Sequence, residues 1–358
     1  MHSDSILGDA KSDNAAESSR MFREAAEAPS AVRRQLRANQ EGLRRLGQTL
    51  RQRKPRAVLT IARGSSDHAA TFAKYLIETR LGVMTASGAP SVSSIYAAPQ
   101  ALGDAVCLAI SQSGQSPDLL SAVEAAKVSG ALVVALVNDE ASPLAALADQ
   151  VVPLHAGPER SVAATKTYIC ALSAIAQLVA EWAGDETLTG ALSGLPDQLS
   201  DAWGLDWRPA VDCLIGAHNL YVVGRGLGLA VAQEAALKFK ETCGLHAEAL
   251  SAAELRHGPM ALVGEGFPVM VFSQDDESRA SVDALATEIG ARGAAVMLAG
   301  GAPSGKPNVL NLPSVEAHPA LEPLLLIQSF YRLVNHLSVA RGFDPDRPPH
   351  LNKVTETL

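Results

Sequence analysis

The stretch "VLTIARGSSDHAATFAKYLIE", residues 58–78, decides the fold, because it returns as "LYVVGRGLGLAVAQEAALKFKE" at residues 220–241. Each copy is an apolar strand-like run, then Arg-Gly, then a helical pattern. Arg63 and Arg225 are 162 apart (225 − 63), and Ser111-Gln112 is offset from Ser273-Gln274 by the same 162 (273 − 111). In both halves this Ser-Gln pair follows an apolar run and precedes a helical pattern, with a matching Gly-Ala turn at Gly130 and Gly293. A repeat of this length means two similar supersecondary halves.

Within the first half, residues 58–61, 105–110, 132–137 and 151–154 are short apolar runs that read as strands buried on both faces. Residues 66–78 and 117–128 read as helices between them. Strands alternating with helices predict an α/β fold with a doubly wound parallel sheet in each half, flavodoxin-like or Rossmann-like, whose ligands lie at the carboxyl ends of the strands. Residues 1–20 are polar and without periodicity, and are expected to be disordered. A helical arm is expected over 21–54, a first domain over 55–200, a second over 201–343 and a tail over 344–358.

Composition bounds the function. With 358 residues, 47% of them hydrophobic, the chain can bury a sizeable core. No apolar run reaches the roughly 18–20 residues of a membrane span, and the start has no basic region followed by an apolar one. The cytoplasm is therefore the expected compartment, with no membrane partner. Cys107, Cys170, Cys213 and Cys243 are widely spaced and read as small core residues. Nine basic residues lie between Arg33 and Arg56, but Val32, Leu36, Leu43, Leu46 and Leu50 recur at helical spacing among them. That predicts an amphipathic helix with an arginine-rich outer face, and a net charge of −8 argues against nucleic acid as partner.

The loop "SQSGQS", residues 111–116, sits at a predicted strand end. Ser116 before Pro117 marks a helix start, where free N–H groups and the positive end of the helix dipole favour an anion. Ser111, Ser113 and Ser116 add hydroxyl donors, and Ser65 and Ser66 add two more at the neighbouring strand end. A phosphate monoester fits, and the missing Lys-Ser/Thr argues against a nucleoside triphosphate. Gly224, Gly226 and Gly228 have GxGxG spacing rather than the GxGxxG of a nicotinamide site.

Candidate chemistry lies in the second half. Lys238 and Glu241, three apart on a predicted helix, share one face. His246, Glu248, Glu254 and His257 stand among alanines and leucines, which suggests buried ionisable groups, and Gly258-Pro259 is expected to end a helix after His257. Glu254-x-x-His257 has di-iron spacing, but the second such motif is absent, so no metal is expected.

Together "SQSGQS", "VAATKTY", "GRGLGLAVAQEAALKFKE", "HAEAL", "AELRHGPMAL" and "HLNKVTETL" resemble the sugar isomerase (SIS) family over residues 21–358. The likeness is to the isomerase half of glucosamine-6-phosphate synthase and to SIS-type glucosamine-6-phosphate deaminases. It implies that Ser65, Ser66, Ser111, Gln112, Ser113 and Ser116 hold the sugar phosphate. It implies that Glu241 moves a proton between C1 and C2, that Lys238 lies near the reactive end, and that His257 opens the ring, in the synthase from the neighbouring subunit. Lys353 matches the lysine of a tail that closes over the sugar. The resemblance also implies a homodimer with sites near the subunit interface, and neither metal nor organic cofactor.

Two departures direct the choice within the family. His2 stands where the synthase carries its glutaminase cysteine, so glutamine hydrolysis is not expected, and Ala164 replaces a serine. The tail is more similar to the deaminases. The expected reaction is conversion of glucosamine 6-phosphate to fructose 6-phosphate and ammonia. The alternatives are the galactosamine compound, an isomerase for a sugar without nitrogen, and a non-catalytic sugar-phosphate sensor.

Overall fold

The computed structural model describes residues 14–353. They form two compact units, each built on a five-stranded, all-parallel sheet. One unit comprises residues 29–159 and 166–196; the other comprises residues 14–28, 160–165 and 197–353.

In the first unit the strands are β1 (Ala57–Ile61), β2 (Met84–Ser87), β3 (Ala105–Ser111), β4 (Leu132–Val137) and β5 (Gln150–Pro153), in the order β2-β1-β3-β4-β5. In the second they are β6 (Asn219–Gly224), β7 (His246–Ser251), β8 (Pro268–Phe272), β9 (Ala295–Ala299) and β10 (Val309–Leu312), in the order β7-β6-β8-β9-β10. Read from the second strand of each, the two orders are identical. The repeat in the sequence is thus a repeat of topology, and it is flavodoxin-like.

β3 is buried along its whole length, and β4 at every residue but its first, because helices cover both faces. The helix Pro117–Val128 packs Leu119, Ala122, Val123 and Ala126 onto Cys107, Ala109, Val133 and Ala135. In the second unit Val282, Leu285, Ala286 and Ile289 of the helix Arg279–Ala291 cover Val269, Val271, Val296 and Leu298. Both helices end in the same Schellman geometry. Gly130 and Gly293, at φ +91° and +92°, let Ala131 and Ala294 donate back to the carbonyls of Ala126 and Ile289.

The arginine-rich segment is the helix Ala28–Arg53, with Val32, Leu43, Leu46 and Leu50 buried. Two polar residues on its inner face, Gln35 and Asn39, donate to the carbonyls of Leu154, Cys170 and Pro153 and so tie it to the end of β5.

Several expectations need correction. Residues 1–13 lie outside the described residues, but residues 14–18 are helical rather than disordered. A second helix, Arg20–Ala26, starts under two caps: Ser19 accepts from Phe22 N–H, and the Asp346 carboxylate accepts from the N–H groups of Arg20 and Met21. Cys213 is exposed; burial pushes the thiols of Cys107, Cys170 and Cys243 up to about 12 and leaves them inert. The helix expected to end after His257 is only one 3₁₀ turn, with His257 as its C-cap. That segment is the edge strand β7 followed by single 3₁₀ turns at Glu254–Arg256 and Pro259–Leu262. His246, Glu248, Glu254 and His257 are all exposed, because the edge strand alternates its side chains and turns His246 and Glu248 outward.

Candidate active site

A 2-1-3-4-5 sheet reverses its strand order between its first and third strands, and a crevice opens at the carboxyl ends there. In the first unit these are β1 and β3, paired in parallel up to Ile61 and Ala109. The chain leaves β1 as Ala62-Arg63-Gly64 into the helix Ser65–Leu81, and leaves β3 as Gln112–Ser116 into the helix Pro117–Val128. The topology therefore brings all six predicted phosphate-binding residues to one sheet end.

The loop after β3 is held from within. Ser111 Oγ accepts from Gly114 N–H at 3.0 Å, and the carbonyls of Gln112 and Gly114 accept from Asn138 and Leu144 N–H at 3.3 and 3.2 Å. Gly114 has φ +62°, and a Cβ there would collide with the Ser142 side chain, so only glycine fits both the conformation and the space. Ser116 has the extended backbone of an N-cap, but its side chain makes no capping bond. Among the described residues the hydroxyls of Ser66, Ser113 and Ser116 make no hydrogen bond, whereas that of Ser111 is used by the loop itself.

Sequence reasoning missed the group that joins the two loops. Arg63 donates from Nε and Nη2 to Asp118 Oδ2, at 3.0 and 2.6 Å, and thereby ties the end of β1 to the first turn of the helix Pro117–Val128. The Asp118 side chain is buried and that of Arg63 is half exposed. The arginine neutralises the one acid at this helix start and keeps the crevice receptive to an anion.

In the second unit Glu241 and Lys238 lie on the helix Gly228–Cys243, which packs against β6, β7, β8 and the helix Glu322–Ala340. Lys238 Nζ donates to Glu241 Oε2 at 2.6 Å and lies 3.2 Å from Glu234 Oε1. The side chains of Lys238 and Glu234 are fully buried, whereas that of Glu241 is 19% exposed and can meet a ligand. Burial alone would push the ammonium pKa down, but the Glu234 and Glu241 carboxylates outweigh it and hold it above the ordinary lysine range. Lys238 is thus a permanent cation. The pairing with Glu234 was overlooked in the sequence, although its i, i+4 spacing was there to see.

His257 follows the Glu254–Arg256 turn, exposed and next to Gly258 at φ +131°. Among the described residues its side chain makes no hydrogen bond or ion pair. Lys353 is the last described residue, partly buried, and residues 354–358 of the tail lie outside the described residues. Among the described residues there is no group of three or more His, Cys, Asp or Glu that could hold a metal, and no helix long and apolar enough to cross a membrane.

Two repeated sheets with a hydroxyl-lined switch point in one are the pattern of a known domain, and the SIS domain model matches residues 50–181 and 213–299. The chain belongs to the SIS domain family. Among curated relatives, the glutamine--fructose-6-phosphate aminotransferase [isomerizing] of Aeropyrum pernix is 38% identical over 315 residues, covering 83% of this chain and 50% of its own length. The chain thus spans about half the length of the curated relatives it matches. A Silicibacter pomeroyi DSS-3 crystal structure, provisionally named a phosphosugar isomerase, is 45% identical, with a TM-score of 0.87 over 92% of this chain and all of the other. The Thermotoga maritima glucosamine-6-phosphate deaminase superimposes with a TM-score of 0.75 over 95% of this chain and all of its own, but at 22% identity that likeness is one of fold. The SIS repeat therefore accounts for both sheets.

Proposed function

We propose that this SIS protein is a phosphosugar isomerase that deaminates glucosamine 6-phosphate to fructose 6-phosphate and ammonia. The observation that carries the reading is Glu241, with one carboxylate oxygen held at 2.6 Å by a buried ammonium and the group still partly open to solvent. That is the arrangement a proton-transfer base needs: fixed in direction and reachable. The names of the relatives, both concerned with phosphosugars, agree with it.

In the proposed reaction Ser111, Gln112, Ser113 and Ser116, with Ser65 and Ser66, hold the phosphate, and His257 opens the ring. Glu241 takes the proton from C2 of the open-chain aldose and returns it to C1. A proton from the amine passes to O1, so that the aldehyde becomes a CH₂OH group and C2 an imine, and water then converts the imine to the ketone and releases ammonia. Lys353 and the dipoles at helix starts stabilise the negative charge that develops on O1. The tail sequence, more similar to the deaminases, supports release of ammonia rather than its transfer. A plain aldose–ketose isomerisation is the second reading, favoured by the name of the Silicibacter protein.

The test is to incubate the protein with glucosamine 6-phosphate, without glutamine or added metal, and to follow ammonia and fructose 6-phosphate together. Equal appearance of both is the expected result. If neither appears while the sugar phosphate still raises the melting temperature, the sensor reading replaces the enzyme.

A further inference from the structure

We propose that Glu234 is a positioning residue for the proton transfer, acting on Glu241 through Lys238; this rests on the assignment of Glu241 as the base. The three side chains sit at i, i+4 and i+7 of one helix, with Lys238 Nζ 3.2 Å from Glu234 Oε1 and 2.6 Å from Glu241 Oε2. Tyr331, from the helix Glu322–Ala340, donates its hydroxyl to Glu234 Oε1 at 3.2 Å and fixes that carboxylate from a second element. Glu234 and Lys238 are sealed from solvent, so neither meets a ligand; Glu241 alone does.

The geometry gives Glu234 two effects. First, a buried lysine with a single partner would place its whole charge on Glu241, whereas here Lys238 Nζ is shared between two carboxyl groups and draws less on Glu241. Second, Glu234 and Tyr331 fix the Lys238 stem, so Glu241 is directed by a donor that does not wander. Among the described residues Glu241 Oε1 has no hydrogen-bond partner, which leaves that oxygen for the substrate.

The experiment compares Glu234→Gln, Glu241→Gln and the double variant by exchange of the C1 proton of fructose 6-phosphate in D₂O, which reads proton transfer whether or not nitrogen is handled. Glu234→Gln is expected to slow exchange about tenfold with the Michaelis constant within about twofold, since binding is untouched. In the Glu241→Gln background it is expected to add nothing, because its route to the chemistry is already cut. Glu234→Asp is expected to recover part of the loss. Full-rate exchange by folded Glu234→Gln, or an equal further loss in the double variant, overturns the proposal. Full-rate exchange by Glu241→Gln instead overturns the base assignment itself. Tyr331→Phe, a milder change on the same carboxylate, is expected to slow exchange by a smaller factor and covers the case in which Glu234→Gln fails to fold.

Discussion

The first switch point, between β1 and β3, carries Gly114 where the second, between β6 and β8, carries Asp276, 162 residues later (276 − 114). In the second unit the Asp276 carboxylate accepts from Ser278 N–H and hydroxyl at 2.8 and 2.5 Å and from Gln274 Nε2 at 2.8 Å. Gln274, fully buried, also donates to the Arg225 carbonyl, and Ser273 donates to Asp283. Here the chain's own carboxylate takes the hydrogen bonds of the loop just before the helix Arg279–Ala291. The first crevice has the same topology and a helix start at the same place, yet among the described residues the hydroxyls of Ser66, Ser113 and Ser116 make no hydrogen bond. The same fold creates the same demand for an anion twice. One copy meets it from within; the other, on the proposed reading, takes it from a sugar phosphate.

The harshest way to break this contrast is to make the first crevice resemble the second. Ser113→Asp places a carboxylate in the loop that is proposed to hold the phosphate. Like charges at this distance cost several kcal/mol, so the Michaelis constant is expected to rise by about a hundredfold or more, with melting behaviour close to wild type. A Michaelis constant within about threefold of wild type would place the phosphate elsewhere. Gly114→Ala acts on shape instead. It asks for a methyl group at φ +62° against the Ser142 side chain, and about 2 kcal/mol of stability is the expected loss in a denaturant titration. A loss under about 0.5 kcal/mol would mean that the loop is free to move aside.

How much of this contrast could be read from the chain alone follows from what local sequence encodes. β1, β3 and β4 were legible because strands covered on both faces must be apolar, and the helix Pro117–Val128 because Ser116-Pro117 marks its start; β5, an edge strand with only Val152 buried, was legible from its Val151-Val152 pair. β2 was not, since it is an edge strand with only Thr85 buried, and an exposed strand needs no apolar run. β7 was misread for the same reason: at an edge, the alternation in His246-Ala247-Glu248 places charges in solvent rather than in a core. The Lys238–Glu241 pair was visible as a spacing, but the fully buried state of Lys238 depends on Tyr331 and its helix, about ninety residues downstream. Arg63 and Asp118 are 55 residues apart and meet only because β1 and β3 are neighbours in the sheet. Groups joined by topology leave no local periodicity to find.

Asp276→Ala, a smaller change, removes the internal anion of the second crevice and leaves Gln274 Nε2 and Ser278 with fewer partners. The loss of this cap and its hydrogen bonds is expected to lower stability by about 1–2 kcal/mol. The Michaelis constant is expected to stay put, because the second crevice is not where the sugar phosphate is proposed to bind. A rise of tenfold in that constant, without loss of stability, would assign ligand binding to the wrong half.

The finest discrimination comes from a crossed pair at the two Ser-Gln loops. Ser113→Ala removes a hydroxyl that makes no hydrogen bond among the described residues, so its effect is expected in binding alone: about a tenfold rise in the Michaelis constant, matching one lost charge-assisted hydrogen bond, and no shift in melting. Ser273→Ala removes a fully buried hydroxyl that donates to Asp283 at 2.7 Å and leaves that carboxylate short of a donor. Its effect is expected in stability alone, about 1 kcal/mol, with kinetics unchanged. Both serines lie in the loop between the third strand of their unit and the following helix, Ser113 two residues beyond the position that matches Ser273, so any general role for a hydroxyl in that loop would make the two variants behave alike. Opposite behaviour is what an open crevice in one unit and a self-filled one in the other require.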